Sequence, residues 1–164
     1  MILVLDASAL ITLARIGHLD LLRQAGDEIY IPQAVYDEVA GLAPDRPGSQ
    51  EIARATWLRR ENVRDREAVT RLRHRLGRGE AEAIVLAGAL GEAVLVLDDG
   101  TARHAAEQEG RTVVGLLGLL LFYKERGTIG TLKPLLDAMV AAGFFIDGAL
   151  YRRILRRAGE EPSP

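Results

Sequence analysis

Short, continuously apolar runs recur along the chain and are separated by longer stretches in which apolar and polar residues alternate with helical spacing. Runs of this kind are typical of strands buried on both faces of a parallel sheet. They predict four strands, at residues 2–5, 28–32, 93–97 and 111–114.

The stretches between these runs predict helices, because their apolar residues recur every three or four positions. Ser8 and Thr101 are the predicted N-caps of two of them. Residues 51–63 are ambiguous, since they fit either a helix through residue 60 or an extended segment from 57 to 63. The remaining predicted helices lie at 9–16, 19–24, 33–40, 66–76, 80–90, 101–109, 115–126, 131–142 and 149–157.

Strands alternating with helices predict a single-domain, three-layer α/β/α fold around a parallel sheet of four to five strands. We expect residues 1–160 to form this domain and residues 161–164 to be a loose tail. The chain has 164 residues, of which 48% are hydrophobic and 27% charged, an ordinary composition for one globular domain.

The absence of cysteine excludes disulfides, thiolate metal sites and cysteine nucleophiles. A metal site would have to use carboxylates or the three histidines, and the histidines show no ligand spacing. No basic segment precedes the first apolar run, and no apolar stretch is long enough to span a bilayer. We therefore expect a cytoplasmic protein without a membrane partner.

Charge is distributed unevenly, although the net charge is only −2. Residues 51–80 contain nine arginines and five acids, whereas residues 1–50 contain seven acids and three basic residues. A basic face beside an acidic pocket would suit a polyanionic substrate. A solvated helix face with ion pairs explains the arginines equally well.

Acidic residues lie at the predicted ends of several strands. Asp6 follows the first strand, Asp98 and Asp99 follow the third, and Glu38 lies in the helix after the second. Glu80 opens the helix that leads into the third strand. Because the carboxyl ends of parallel strands share one edge of a sheet, these acids should converge there.

Clustered carboxylates must either share protons or bind a cation. Four or five acids are too many for one shared proton, and oxygen ligands suit Mg²⁺ or Mn²⁺. Each acid also has a simpler explanation on its own. Asp6 could cap the next helix, Glu38 could be solvated, and Glu80 could complement a helix dipole.

The order and spacing of four segments resemble the PIN-domain ribonucleases, and most closely a VapC-like branch of that family. The segments are Leu5-Asp6-Ala7-Ser8, Ile31-Pro32 with Val35 and Glu38, Gly79-Glu80 with Ala83 and Ile84, and Val96-Leu97-Asp98-Asp99 with Arg103. The resemblance covers most of the chain. It implies a PIN-like fold and a metal-dependent endoribonuclease, often a homodimer and often the toxin of a type II toxin–antitoxin pair.

By position, the resemblance implies metal-binding and catalytic roles for Asp6, Glu38, Glu80 and Asp98. Asp99 is an alternative fourth acid, and Glu82 is a secondary candidate for the third. Ser8 and Arg103 would contact the substrate. The implied cofactor is Mg²⁺ or Mn²⁺, in one or two copies, and the implied partners are RNA, an antitoxin and a second copy of the chain.

One departure from the family pattern keeps a second function open. PIN toxins more often have aspartate at the third acidic position, where this chain has Glu80. A PIN-like module that binds RNA or protein without cleaving is therefore the alternative. Dehalogenase-like phosphatases, receiver domains and Rossmann domains fit less well, because Asp6-Ala7-Ser8 lacks their acidic pairs or glycine-rich turn.

Overall fold

A computed structural model describes residues 1–41 and 44–160, so the predicted tail at 161–164 lies outside the described residues. Within these described residues, five strands form one sheet. They are β1 (Ile2–Leu5), β2 (Glu28–Pro32), β3 (Arg59–Glu61), β4 (Val94–Val96) and β5 (Thr112–Val114).

The strands are surrounded by helices that alternate with them along the chain. These are α1 (Ala7–Arg15), α2 (Leu21–Gln24), α3 (Gln33–Tyr36), α4 (Ser49–Arg54), α5 (Arg66–Leu72), α6 (Arg78–Leu90), α7 (Gly100–Gln108), α8 (Leu116–Glu125), α9 (Lys133–Ala141) and α10 (Gly148–Arg157), with a π-helical turn at Asp37–Gly41 after α3. No helix in the described part of the chain has the length and apolar character needed to cross a membrane.

The sheet is parallel throughout, with strand order β3-β2-β1-β4-β5. β1 is central, and the chain builds outward from it first on one side and then on the other. The order therefore reverses at β1, which makes its carboxyl end a topological switch point where such sheets bind ligands. The predicted single-domain α/β fold is confirmed.

Alternate residues of the strands pack into separate cores on the two faces of the sheet. Leu3 and Leu5 join the core beneath α1, α8, α9 and α10, whereas Val4 joins the core beneath α5, α6 and α7. All three side chains are fully buried. This double burial explains why β1 is apolar at consecutive positions.

Three local predictions are corrected or decided by the structure. α1 begins at Ala7 with Asp6 as its N-cap, so Ser8 is not the cap. α7 begins at Gly100 with Asp99 as its N-cap, so Thr101 is not the cap either. In both cases the aspartate just before the helix accepts a hydrogen bond from the backbone amide three residues later in the chain. The ambiguous segment, residues 51–63, contains the end of α4 and, after residues 55–58, the short edge strand β3.

Candidate active site

The predicted acids come together at the carboxyl edge of the sheet around β1. Asp98, Glu80 and Glu38 all lie close enough to Asp6 for their negative charges to raise its pKa, and Asp98 has the largest of these three effects. A cavity of about 560 Å³ beside them, here called the acidic pocket, is lined in part by Asp6, Glu38 and Glu80. Asp98 affects the pKa of Asp6 through its charge, but it is not among the residues that line this pocket.

Asp6 is the buried centre of the group, with 4% of its surface exposed. Its Oδ1 accepts a hydrogen bond from the Ala9 amide at 2.9 Å, which is the α1 cap. Burial is the main cause that raises the pKa of Asp6 from 3.8 to about 7, and the three neighbouring carboxylates add to it. A cation beside Asp6 would reverse both effects.

Asp98 has the same arrangement at the end of β4. Its Oδ1 accepts a hydrogen bond from the Leu116 amide, at the start of α8, at 2.9 Å. Its Oδ2 is buried and has no hydrogen-bond partner among the described residues. Burial raises the pKa of Asp98, while the Leu116 amide and the charge of Arg103 oppose that rise.

Glu80 is the third acid held by a helix N-terminus. Its Oε2 accepts a hydrogen bond from the Gly77 amide at 3.1 Å, so the Glu80 side chain reaches back to the N-cap of α6. Asp6, Asp98 and Glu80 thus each use one carboxylate oxygen to cap a helix. Capping a helix and binding a cation are therefore compatible roles, because each acid retains a second oxygen.

Glu38 reaches the site from the π-helical turn after α3, and its side chain is exposed. π-helical turns often occur at functional sites because they change the direction in which a side chain leaves the helix. Glu38 Oε2 lies 3.0 Å from where a Cβ on Gly79 would stand. The absence of a side chain at Gly79 gives Glu38 room beside α6.

The other predicted site residues have different surroundings. Asp99 is exposed and accepts a hydrogen bond from the Ala102 amide as the cap of α7. Ser8 is exposed on the rim of the acidic pocket. Arg103 donates to the Leu97 carbonyl at 3.1 Å, beside Asp98. Glu82 is not among the residues that line the pocket and forms ion pairs with Arg66 and Arg78.

Sequence reasoning missed three residues of this region. Asp37 lines the acidic pocket next to Glu38 and accepts a hydrogen bond from Gln33 at 2.8 Å. Gly79 and Gly115 let helix backbone approach Glu38 and Asp98, since a Cβ on either would stand 3.0 Å from a carboxylate oxygen. In the sequence, Gly79 stands directly before Glu80 and Asp37 directly before Glu38, which is the signal that could have found them. Gly115 lies far from every candidate acid in the sequence, so nothing there points to it.

The donor set fits a hard divalent cation, which prefers carboxylate and water oxygens. The observation that favours such a ligand is the buried Oδ2 of Asp98, for which the described part of the chain supplies no hydrogen-bond partner. Among the described residues, no three histidine or acidic side chains are already close enough to form a metal site. Mg²⁺ commonly binds one or two carboxylates and keeps several waters, so it does not require a preformed cage of three.

Comparison with known proteins assigns the family. The family model of the PIN domain matches residues 2–160, which is nearly the whole chain. A search of curated proteins gave no significant match. PIN domains are generally nucleases that use divalent metals, which supports a nuclease activity and agrees with an acidic site at the switch point of a parallel sheet. The chain belongs to the PIN-domain family.

Proposed function

We propose that this protein is a divalent-metal-dependent endoribonuclease that hydrolyses phosphodiester bonds of RNA. Asp6, Glu38, Glu80 and Asp98 are its proposed metal-binding and catalytic acids. The observation that carries the proposal is the buried Oδ2 of Asp98, which has no hydrogen-bond partner in residues 1–41 and 44–160, together with a buried Asp6 whose pKa is raised to about 7. Both features are costly in a folded protein unless a cation binds there.

Mg²⁺ or Mn²⁺ is the proposed cofactor. When bound, either ion stabilises negative charge on a phosphoryl oxygen and makes a bound water more acidic. Asp6 and Asp98 would hold it through the oxygens that do not cap helices. Asp6 must lose its proton for this, so it binds the cation only as the carboxylate.

Glu38 and Glu80, which line the acidic pocket together with Asp6, complete the proposed site. Glu80 is fixed by its hydrogen bond to the Gly77 amide, which leaves Oε1 as the ligand oxygen. Glu38 is exposed, so its carboxylate can meet both water and substrate. Glu38 is therefore the best placed of the four to take a proton from an attacking water, at Oε1 or Oε2.

RNA as substrate and the wider biological role rest on the family and on charge. Eight of the nine arginines in residues 51–80 lie between residues 59 and 78, and their positive charge would attract a polyanion. The finer proposal is the toxin of a type II toxin–antitoxin pair, cytoplasmic, homodimeric and held inactive by an antitoxin. Its support is the VapC-like order of motifs in the sequence.

The test is cleavage of a labelled structured RNA with Mg²⁺, with Mn²⁺ and with chelator. We expect cleavage only with metal, and a loss of at least about 100-fold in Asp6→Asn and Asp98→Asn, beyond what a supporting residue of a metal site costs. Asparagine still accepts the Ala9 or Leu116 amide bond, so the caps survive. Expression in a bacterial host should arrest growth, and Asp6→Asn should relieve the arrest.

Asp147→Asn is the matched control, because Asp147 caps α10 through the Leu150 amide at the same 2.9 Å distance. It should cleave like the wild type. Asp99→Asn tests whether Asp98 or Asp99 is the fourth acid. This variant should retain activity if the fourth acid is Asp98. Metal-dependent cleavage that survives Asp6→Asn would contradict the proposed site. RNA binding without cleavage by the wild type would instead favour the non-cleaving binding module.

A further inference from the structure

Glu82 is a buried acid outside the group of four. Its side chain is only 2% exposed, and it lies in α6 one turn after the start of the helix. Its Oε1 accepts hydrogen bonds from Arg66 Nη1 at 2.8 Å and from Arg78 Nε at 3.1 Å. A buried carboxylate must be paired in this way, because an unpaired one would cost several kcal/mol.

The two arginines are unlike their shared partner, because more than half of each side chain is exposed. Arg66 is 57% exposed and Arg78 is 53% exposed. Each guanidinium carries five N–H donors, and the bonds to Glu82 use one donor of each. The remaining donors are held at the surface in a fixed place, and the group of three has a net charge of +1.

This group lies beside the proposed active site. Arg78 lines the acidic pocket together with Gly79 and Glu80. Arg66 is the first residue of α5, which follows β3, and Arg78 is the first residue of α6, which leads into β4. Both helices therefore begin at the carboxyl edge of the parallel sheet, where the acids converge.

An acidic pocket repels a polyanionic substrate, so cleavage requires attraction from nearby cations. We infer that Arg66 and Arg78 bind a backbone phosphate of the RNA next to the one that enters the acidic pocket, and that Glu82 is the positioning residue that holds them. Paired guanidinium groups match the oxygens of a phosphate in charge and geometry. The inference rests on the proposed function and names the part of the chain that holds its substrate.

The test measures binding of a fluorescein-labelled single-stranded RNA to the full chain in chelator, across a range of salt concentrations. Arg66→Gln and Arg78→Gln should each weaken binding several-fold. Each should also reduce the slope of log affinity against log salt by about 0.7, the value for one lost phosphate contact on a single strand. Arg66→Lys and Arg78→Lys should retain most of the slope, because lysine keeps the charge.

Glu82→Gln separates positioning from net charge, because the two predict opposite signs. Removing a negative charge near RNA strengthens binding if only charge matters. Loss of positioning weakens binding, and we expect weaker binding by about two-fold or more. The matched controls are Glu67→Gln and Arg71→Gln, an exposed pair one helix turn apart on α5. Glu67→Gln should bind RNA as tightly as the wild type or more tightly, and Arg71→Gln should keep the wild-type slope.

Thermal melting of each variant separates a structural ion pair from a phosphate site. A lower melting temperature with an unchanged RNA affinity and salt slope in Arg66→Gln and Arg78→Gln would overturn the inference. So would Arg71→Gln weakening binding as much as they do, or Glu82→Gln binding more tightly. If RNA binding depends on the two arginines but no metal supports cleavage, the phosphate site stands and the nuclease proposal fails.

Discussion

At the residue scale, two opposing effects act on the carboxylate of Asp6 in the absence of metal. Its Oδ1 caps α1, and burial among other acids makes its charge unfavourable. The folded chain therefore holds the proton of Asp6 more tightly than the unfolded chain does. A bound cation would offset the cost of ionising Asp6, because a nearby positive charge favours the ionised form of the carboxyl group.

Asp6→Asn should consequently stabilise the metal-free protein in a pH-dependent way. A pKa raised from 3.8 to about 7 means that Asp6 stabilises the fold below pH 4 and loses that stabilisation as the pH rises through 7. At about 1.4 kcal/mol per pKa unit, ionising Asp6 costs the fold roughly 4 kcal/mol above pH 8. Urea unfolding in chelator between pH 4 and pH 8.5 should show the free energy of unfolding of Asp6→Asn increasing relative to that of the wild type as the pH rises.

The control for this prediction is Asp147→Asn, which replaces an exposed cap and should show no gain at any pH. Adding Mn²⁺ at pH 8 should stabilise the wild type and leave Asp6→Asn unchanged, because a ligand that binds only the folded state stabilises it by mass action. An unfolding free energy with the same pH dependence in wild type and Asp6→Asn would contradict the raised pKa.

At the element scale, strands that are buried on both faces are easier to predict from the sequence than exposed ones. β1 and β2 were predicted with their observed bounds, because strands covered on both faces are apolar at consecutive positions. β3 is a three-residue edge strand whose residues are all exposed, so it carries no hydrophobic pattern that would distinguish a strand from a helix. The acids at strand ends followed from topology, whereas Gly79 and Gly115 act through a close approach that only the packed helices create.

Gly79→Ala tests how closely α6 must approach the π-helical turn. The new Cβ would stand 3.0 Å from Glu38 Oε2 and 3.2 Å from Val35 Cγ2, so the Glu38 carboxylate has to move. Alanine gains up to about 1 kcal/mol of helix propensity over glycine, which offsets the crowding. We expect weaker Mn²⁺ binding by calorimetry and slower cleavage, with an unfolding free energy within about 1 kcal/mol of the wild type.

Gly148→Ala is the matched change at the start of another helix, where the new Cβ would meet Arg152 Nη1 at an ordinary 3.4 Å. It should leave Mn²⁺ binding and cleavage unchanged. Wild-type Mn²⁺ affinity in a folded Gly79→Ala protein would show that Glu38 does not need the space that the glycine leaves.

At the scale of the whole molecule, the end of the described chain is tied back to the helices that cover one face of the sheet. Glu160 accepts hydrogen bonds from the amides of Leu132 at 2.6 Å and Lys133 at 2.8 Å, at the start of α9. It also forms an ion pair with Lys124 of α8 at 3.1 Å. One carboxylate therefore joins α8, α9 and the segment after α10.

Glu160→Gln should weaken this junction, because an amide has one acceptor oxygen where the carboxylate uses two. Loss of a helix cap and a charge-assisted bond should cost about 1–2 kcal/mol, measured by urea unfolding at pH 7. Burial raises the pKa of Glu160, but the Leu132, Lys133 and Lys124 bonds outweigh it and lower that pKa below 4.5. The stabilisation is therefore present above pH 4.5 and is lost as the pH falls, so wild type and variant should converge in acid.

Glu125→Gln is the control, because Glu125 pairs with Arg157 at 3.4 Å while half of its side chain is exposed to water. Such a surface pair contributes little, so this variant should unfold within about 0.5 kcal/mol of the wild type. RNA cleavage should survive Glu160→Gln below its melting temperature, since the junction lies on the helices and not on the acidic pocket. A Glu160→Gln protein as stable as Glu125→Gln at pH 7 would show that the hydrophobic core alone, without this carboxylate, holds the C-terminal helices on the sheet.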